Sequence, residues 1–195
     1  MLRTQSALLP FAADANVRHL RTYGGMIYCI VDAADAGVEL RREDARHLVE
    51  VGEAIKSAAA VQLPSVHPTN PGIHTINQIE FTSPLEIIDG VKSSKNAVVV
   101  SPGRLDRCPC GTGTSARMAL LHARGDLEVG ELFRHISILD TKFDCKILQQ
   151  IKVGSVPAIL PQISGRAWLT GVSYYGVDPE DPFPRGYCLG DTWFS

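Results

Sequence analysis

The sequence predicts an α+β domain, and three observations carry that prediction. Short runs rich in β-branched and aromatic residues recur along the chain, as strands require. Two stretches, Glu43–Ala59 and Ser115–Arg124, instead repeat apolar residues at helical spacing. Clusters of proline, glycine and asparagine punctuate these runs.

Residues 1–20 show little periodicity. Met26–Asp32 reads as a strand by its apolar and aromatic content. Glu43–Ala59 is the clearest helix, because Leu48, Val49, Gly52, Ile55 and Ala59 fall on one face. Pro64–Gly72 is a loop. Thr75–Thr82 and Asn96–Ser101 read as strands, with Asp89-Gly90 as a turn between them. Val98-Val99-Val100 is the buried part of the second, and Pro102-Gly103 breaks it. The second helix, Ser115–Arg124, has an apolar face of Ala116, Ala119, Leu120 and Ala123. Ile136–Leu139, Lys146–Val153 and Arg166–Ser173 are further strands, and Asp178–Gly186 is an extended linker. No internal repeat or low-complexity tract interrupts this order.

The chain has 195 residues, enough to bury a core of its own. A formal net charge of −2 with no basic stripe argues against nucleic acid as a partner. No apolar run approaches a membrane span, and the apolar patch in Met1–Pro10 is too brief for a signal peptide. Five cysteines at irregular spacing argue against a disulfide framework and fit a reducing cytoplasm.

The most informative stretch is Asp106-Arg107-Cys108-Pro109-Cys110-Gly111-Thr112-Gly113-Thr114-Ser115. Its glycines let the backbone approach a ligand, and Thr112, Thr114 and Ser115 are natural N-cap residues. The first turn of the helix then offers unpartnered amides, which suit an anion. That anion is either a substrate carboxylate on Gly111 and Thr112 or the thiolate of Cys110. A thiol in such a place can drop from about 8.5 to roughly 3.5–7.5 in pKa. Asp106 would suit an ammonium group. Carboxylate grip, ammonium grip and ionisable thiol together describe an amino-acid site. Two blander readings stand beside it. The cysteine can be a small buried hydrophobe before an ordinary turn. Cys108-Pro109-Cys110 can be a redox or metal pair, although it lacks Cys-x-x-Cys spacing and a second ligand pair.

Other polar residues add less. His19, His47, His67, His74, His122 and His135 are scattered without metal-ligand spacing, so no metal is expected. His67 sits in a loop, and His122 lies on the polar side of its helix. Asp32 and Asp35 can assist chemistry or simply form the turn after a strand.

The segment from Asp106 to Ala116 resembles the second catalytic motif of the proline racemase family, Asp-Arg-Ser-Pro-Cys-Gly-Thr-Gly-Thr-Ser. Further matches follow in order. Tyr23-Gly24-Gly25-Met26-Ile27-Tyr28 resembles the family's Tyr-Gly-Gly-x-Phe-Tyr. Ser137-Ile138-Leu139 with Phe143 resembles Ser-Ile-Ile-Gly-x-x-Phe, with Asp140 near the glycine. Pro161-Gln162-Ile163-Ser164-Gly165-Arg166-Ala167 resembles Pro-x-Ile-x-Gly-x-Ala. Asp181-Pro182 and Gly186-Tyr187 resemble its closing Asp-Pro…Gly-Phe. The resemblance covers roughly residues 20–195 and includes racemases, 4-hydroxyproline 2-epimerases and trans-3-hydroxyproline dehydratases.

It implies a diaminopimelate-epimerase-like half, in which a curved, mostly antiparallel sheet wraps a central helix. It also implies cofactor-independent α-proton transfer between two thiols on opposite faces of proline or 4-hydroxyproline. By resemblance Cys110 is the second thiol, Asp106 meets the substrate amine, and the amides of Gly111 and Thr112 meet its carboxylate. Cys108 replaces the family's serine. Members have two pseudo-symmetric halves, and the first carries Met-Cys-Gly-His-Gly. That motif does not occur here, and the only earlier cysteine, Cys29, lies in an apolar strand. The chain therefore resembles the second half: residues 1–20 as a remnant of the first half, 21–171 as the catalytic half-domain, and 172–195 as a closing segment that packs on the missing half or a partner. Trp193 and Phe194 would lack their partner surface, and a homodimer through the vacant face is conceivable. Dehydration of trans-3-hydroxyproline, or an inactive truncated half, are the alternative outcomes.

Overall fold

The structure, a computed structural model, describes residues 7–12 and 15–187. In chain order the strands are β1 (Ala7–Ala12), β2 (Ala15–Tyr23), β3 (Ile27–Asp32), β4 (Gln78–Thr82), β5 (Glu86–Ile88), β6 (Val91–Val100), β7 (Arg104–Leu105), β8 (Leu132–Ile136), β9 (Lys142–Val153) and β10 (Val156–Ser164). The helices are α1 (Ala45–Gln62) and α2 (Gly111–Arg124), with a short 3-10 turn at Arg42–Asp44 before α1.

These strands form one sheet in the order β1-β2-β3-β4-β6-β8-β9-β10. Strands β5 and β7 pair with the two ends of β6. Neighbours are antiparallel except for β3 with β4 and β6 with β8. A parallel pair needs a long crossover, and the helices supply it: α1 lies between β3 and β4, and α2 between β6 and β8. The sheet curls around α2, so the expected α+β half with a wrapped central helix is what the chain adopts.

Strand β3 shows how the two layers form. Alternate side chains leave a strand on opposite faces. Ile27, Cys29 and Val31 join the core under α1 with Leu48, Ile55, Ile79 and Phe81. Tyr28 and Ile30 point the other way, toward Val98, Cys110, Ala116 and Leu120. A second cluster on α2 brings Met118 and Leu121 against Phe133, Cys145 and Ile147. Asp89 (φ 53°) and Gly90 (φ 76°) make the β5–β6 hairpin turn, since two successive left-handed residues match strand twist.

Several sequence expectations change. Residues 7–12 and 15–23 are strands despite their lack of periodicity. Ile136–Leu139 begins where β8 ends, and Ser137 to Asp140 is a turn held by the Ser137 side chain. Arg166–Ser173 is not a strand. The last strand among the described residues is β10, an edge strand there, which tolerates Pro157 and Pro161 because its outer amides need no partner. Beyond it, residues 165–187 run exposed, with Leu169, Tyr174 and Tyr175 each more than four-fifths exposed (86%, 97% and 94%). Trp193 and Phe194 lie outside the described residues. Among the described residues no helix is long and apolar enough to cross a membrane.

Candidate active site

The site is built where β6 and β7 hand the chain to α2. The amide of Asp106 donates to Val98 O (3.0 Å), which ties the loop to β6. The chain then turns through Cys108-Pro109, and Cys110 takes φ 63° and ψ 119°. That left-handed backbone is uncommon for a residue with a side chain. Helix α2 starts at once, at Gly111, so its cap residue is Cys110. The expected caps Thr112, Thr114 and Ser115 lie inside the helix. Their hydroxyls have other partners: Thr112 Oγ1 lies 2.6 Å from the Tyr28 hydroxyl, Thr114 donates to Pro109 O (3.1 Å), and Ser115 donates to Gly111 O (2.9 Å).

Glycine lets the start of α2 approach the turn between β2 and β3. A Cβ on Gly24 would lie 2.2 Å from Thr112 O and 2.5 Å from the Ala116 amide, so only glycine fits between turn and helix. The close approach delivers Tyr28. Its hydroxyl lies 3.3 Å from Cys110 Sγ, while Thr112 Oγ1 lies 3.7 Å from the same sulfur. The Asp106 carboxylate and the Gly113 amide lie close enough to act on its proton, the first holding it and the second easing its release. Asp106, Cys110 and Thr112 are thus brought together, with Gly111 exposed at the helix start. The first-turn amides of Gly111 and Thr112 have no intrahelical acceptor, as at any helix N-terminus.

The electrostatics reverse one expectation. Burial pushes the Cys110 thiol up to about 11, and the Asp106 carboxylate adds to the rise. The Tyr28 hydrogen bond and the Gly113 amide work in the other direction and are outweighed. Desolvation wins because Cys110 is only 8% exposed. Burial, helped by the nearby Cys110, likewise pushes the Tyr28 hydroxyl up. Cys108 is exposed, with its sulfur 3.4 Å from the Cys110 amide, and both thiols are free. Cys29 and Cys145 are buried strand residues whose thiols burial pushes up to about 12.

A polar cluster lies behind the sulfur. Glu80 (β4), Asn96 (β6), Thr114 and Arg117 (α2) and His135 (β8) are all buried. Asn96 Nδ2 donates to Pro109 O (2.8 Å) and Glu80 Oε1 (3.3 Å), and Thr114 Oγ1 lies 2.9 Å from His135 Nδ1. The sequence reading missed this cluster. Glu80 and His135 sit in alternating strand patterns, where a polar residue normally faces water. The signal that could have found them is the charge of Arg117 between the apolar residues Ala116 and Met118. His122 is half-buried and meets Leu127 O (2.7 Å) and Gln150 (2.7 Å). Asp32 accepts from the Ala34 amide (2.9 Å), the turn role expected of it. No group of three or more His, Cys, Asp or Glu residues could hold a metal among the described residues.

This arrangement can be set against known proteins. The family model described as proline racemase matches residues 14–188. The chain belongs to the proline racemase family. Two solved members of similar structure extend the match. A probable proline racemase from Agrobacterium radiobacter K84, solved with bound carbonate, is 32% identical with a TM-score of 0.79. A hydroxyproline epimerase from Agrobacterium vitis, solved with bound trans-4-hydroxy-L-proline, is 31% identical with a TM-score of 0.79. Each comparison covers 98% of this chain but only 55% and 54% of the relatives, so this proline racemase family chain spans about half their length.

Proposed function

We propose that this chain supplies one face of a cofactor-independent site that racemises or epimerises proline or 4-hydroxyproline. Cys110 exchanges a proton with the substrate α-carbon. Asp106 receives the ammonium group, and the amides of Gly111 and Thr112 receive the carboxylate. The observation that supports this reading is the convergence of Asp106, Tyr28 and the Gly113 amide on one sulfur at a helix start.

At rest Cys110 keeps its proton, because burial raises its pKa to about 11. It therefore enters the reaction as the acid. A bound ammonium group competes for Asp106, removes the carboxylate from the thiol and eases proton release. Preorganised amides at the carboxylate stabilise the carbanion character that builds at the α-carbon.

Inversion needs a second acid–base group on the opposite face. Among the described residues, Cys29 and Cys145 are buried in strands, and Cys108 shares the loop of Cys110; Cys188 lies outside them. We place the second group on polypeptide equivalent to the part of the relatives that this chain does not match, or on a second copy docked through the vacant face. The exposed apolar run from Trp168 to Tyr187 is the surface we assign to that contact. If the second group is a serine or threonine, the site dehydrates trans-3-hydroxyproline instead. The half-length match favours one other reading, a half with no turnover of its own.

Incubation with L-proline or trans-4-hydroxy-L-proline in heavy water, followed by NMR of the α-proton, separates these outcomes. Exchange with inversion supports the paired site, and exchange without inversion indicates a lone base. No exchange supports the inactive half. Cys110→Ser should reduce any exchange by about 100-fold or more. Cys108→Ser should leave it nearly unchanged, and equal losses from both would overturn the choice of thiol.

A further inference from the structure

Glu80, His135 and Thr114 are fully enclosed, and Asn96 is 1% exposed, yet they carry more hydrogen-bonding atoms than the fold satisfies. Their directions can be worked out. The Thr114 hydroxyl has one hydrogen, and it donates to Pro109 O at 3.1 Å. With that hydrogen on Pro109 O rather than on Nδ1, the Thr114 oxygen, 2.9 Å from His135 Nδ1, accepts, and Nδ1 carries the imidazole hydrogen. His135 Nε2 is left as a bare lone pair, 3.5 Å from Glu80 Oε1. Two acceptors cannot face each other in a dry interior without a proton between them.

We propose that Glu80 and His135 share a single proton and act as positioning residues for Cys110. They work through Thr114 and Asn96, both of which hold the Pro109 carbonyl. The Pro109–Cys110 peptide is thereby fixed, and with it the left-handed backbone that aims the sulfur. The pair is neutral. Burial pushes the Glu80 carboxyl up to about 8 and the His135 imidazole down to about 3, so an imidazolium–carboxylate pair does not form. The charged and titratable groups around it come from several elements. Arg117 on α2 faces both members, favouring Glu80 ionisation and opposing His135 protonation. Tyr28 on β3 feels Glu80, and Arg117 is itself approached by Asp32, Asp126 and Arg124. Glu80 Oε2 lies over α2, where a Cβ on Gly113 would come within 3.1 Å of it, so the acid sits directly behind the amide that meets the sulfur.

This inference deepens the reading of Cys110 as the acid–base group, but its test does not need turnover. In the chain labelled with nitrogen-15 histidine, NMR should show His135 protonated on Nδ1 and bare on Nε2 at about neutral pH. A proton on Nε2 alone would overturn the proposal, and that measurement requires no variant. Glu80→Gln removes the titration; its amide nitrogen in the place of Oε1 donates to Nε2 as the protonated acid does, at the loss of the weaker Asn96 contact made by the same atom. In a Cys108→Ser, Cys188→Ser background, alkylation of Cys110 by iodoacetamide is then followed against pH. The unsubstituted Glu80 chain should show a break near pH 8 superimposed on the thiol titration. Glu80→Gln should lose that break while matching the neutral-pH rate within about twofold. Identical profiles for the two would also overturn the proposal. An inactive chain with the expected profiles would count against the reaction alone.

Discussion

Helices α1 and α2 do the same topological job, each carrying the chain between two parallel strands. They differ in everything else. On α1 the fully buried residues are Leu48, Gly52, Ile55 and Ala59, a single stripe, while the outer face carries ion pairs such as Arg46–Glu50. On α2 burial runs nearly all the way round, and it takes in Thr114 and Arg117 as well as Met118, Leu120 and Leu121. A helix on the outside of a sheet needs only one apolar stripe. A helix inside a curled sheet must find partners for polar groups on every side. The comparison teaches that the enclosed helix is the one whose end can hold a desolvated, multiply contacted thiol.

The largest effect that would break this comparison is expected at the contact between the β2–β3 turn and α2. Gly24→Ala drives a Cβ into Thr112 O and the Ala116 amide, both backbone atoms that cannot swing aside. A loss of about 4 kcal/mol or more in denaturant unfolding is expected, with Cys110 becoming freely alkylated. A loss under about 1 kcal/mol would mean that the turn and helix are not packed this closely.

Ile55→Ala, at the centre of the α1 stripe, should cost about 3 kcal/mol. It should leave the pH profile of Cys110 alkylation unchanged, because α1 lies on the opposite face of the sheet. A shifted profile would show that the two layers are coupled.

A smaller effect sharpens the α2 side. Glu80 has its folded pKa raised from 4.5 to about 8, so the folded chain binds the extra proton between those values. Its contribution is full below the lower value and is lost as pH rises through the upper one. His135 is lowered from 6.5 to about 3, so its contribution is present above 6.5 and lost as pH falls toward 3. The two slopes oppose each other between 4.5 and 6.5, and only the Glu80 slope remains from 6.5 to about 8. Unfolding free energy should therefore fall by about 1–2 kcal/mol across that upper window, and Glu80→Gln should flatten it.

Much of the fold was legible before any coordinates. The α1 stripe, the loop after it, the Asp89-Gly90 turn and strands β3 and β9 all follow from periodicity or turn chemistry that a local segment carries in itself. The start of α2 was not legible. Three good capping residues pointed to a later start, but their hydroxyls are committed to Tyr28, Pro109 and Gly111. Strand β10 was hidden by its prolines, which an edge position permits. Asp140, near the family's glycine, takes φ 61°, a conformation that aspartate tolerates better than most residues. The site itself divides the same way. Asp106, Cys110, Gly111 and Thr112 could be picked out from the motif, whereas Tyr28, Glu80, Asn96 and His135 come from strands distant in sequence.

The sequence by itself determined the family, the two helices and the loop on which we propose that the chemistry sits, because local pattern and motif are properties of neighbouring residues. Only the tertiary structure decided the state of the sulfur. Amides at a helix start favour a thiolate, and the motif alone pointed that way. The curled sheet removes water from Cys110 and sets Asp106 against it, and those two effects together outweigh the Tyr28 hydrogen bond and the Gly113 amide and leave the thiol protonated.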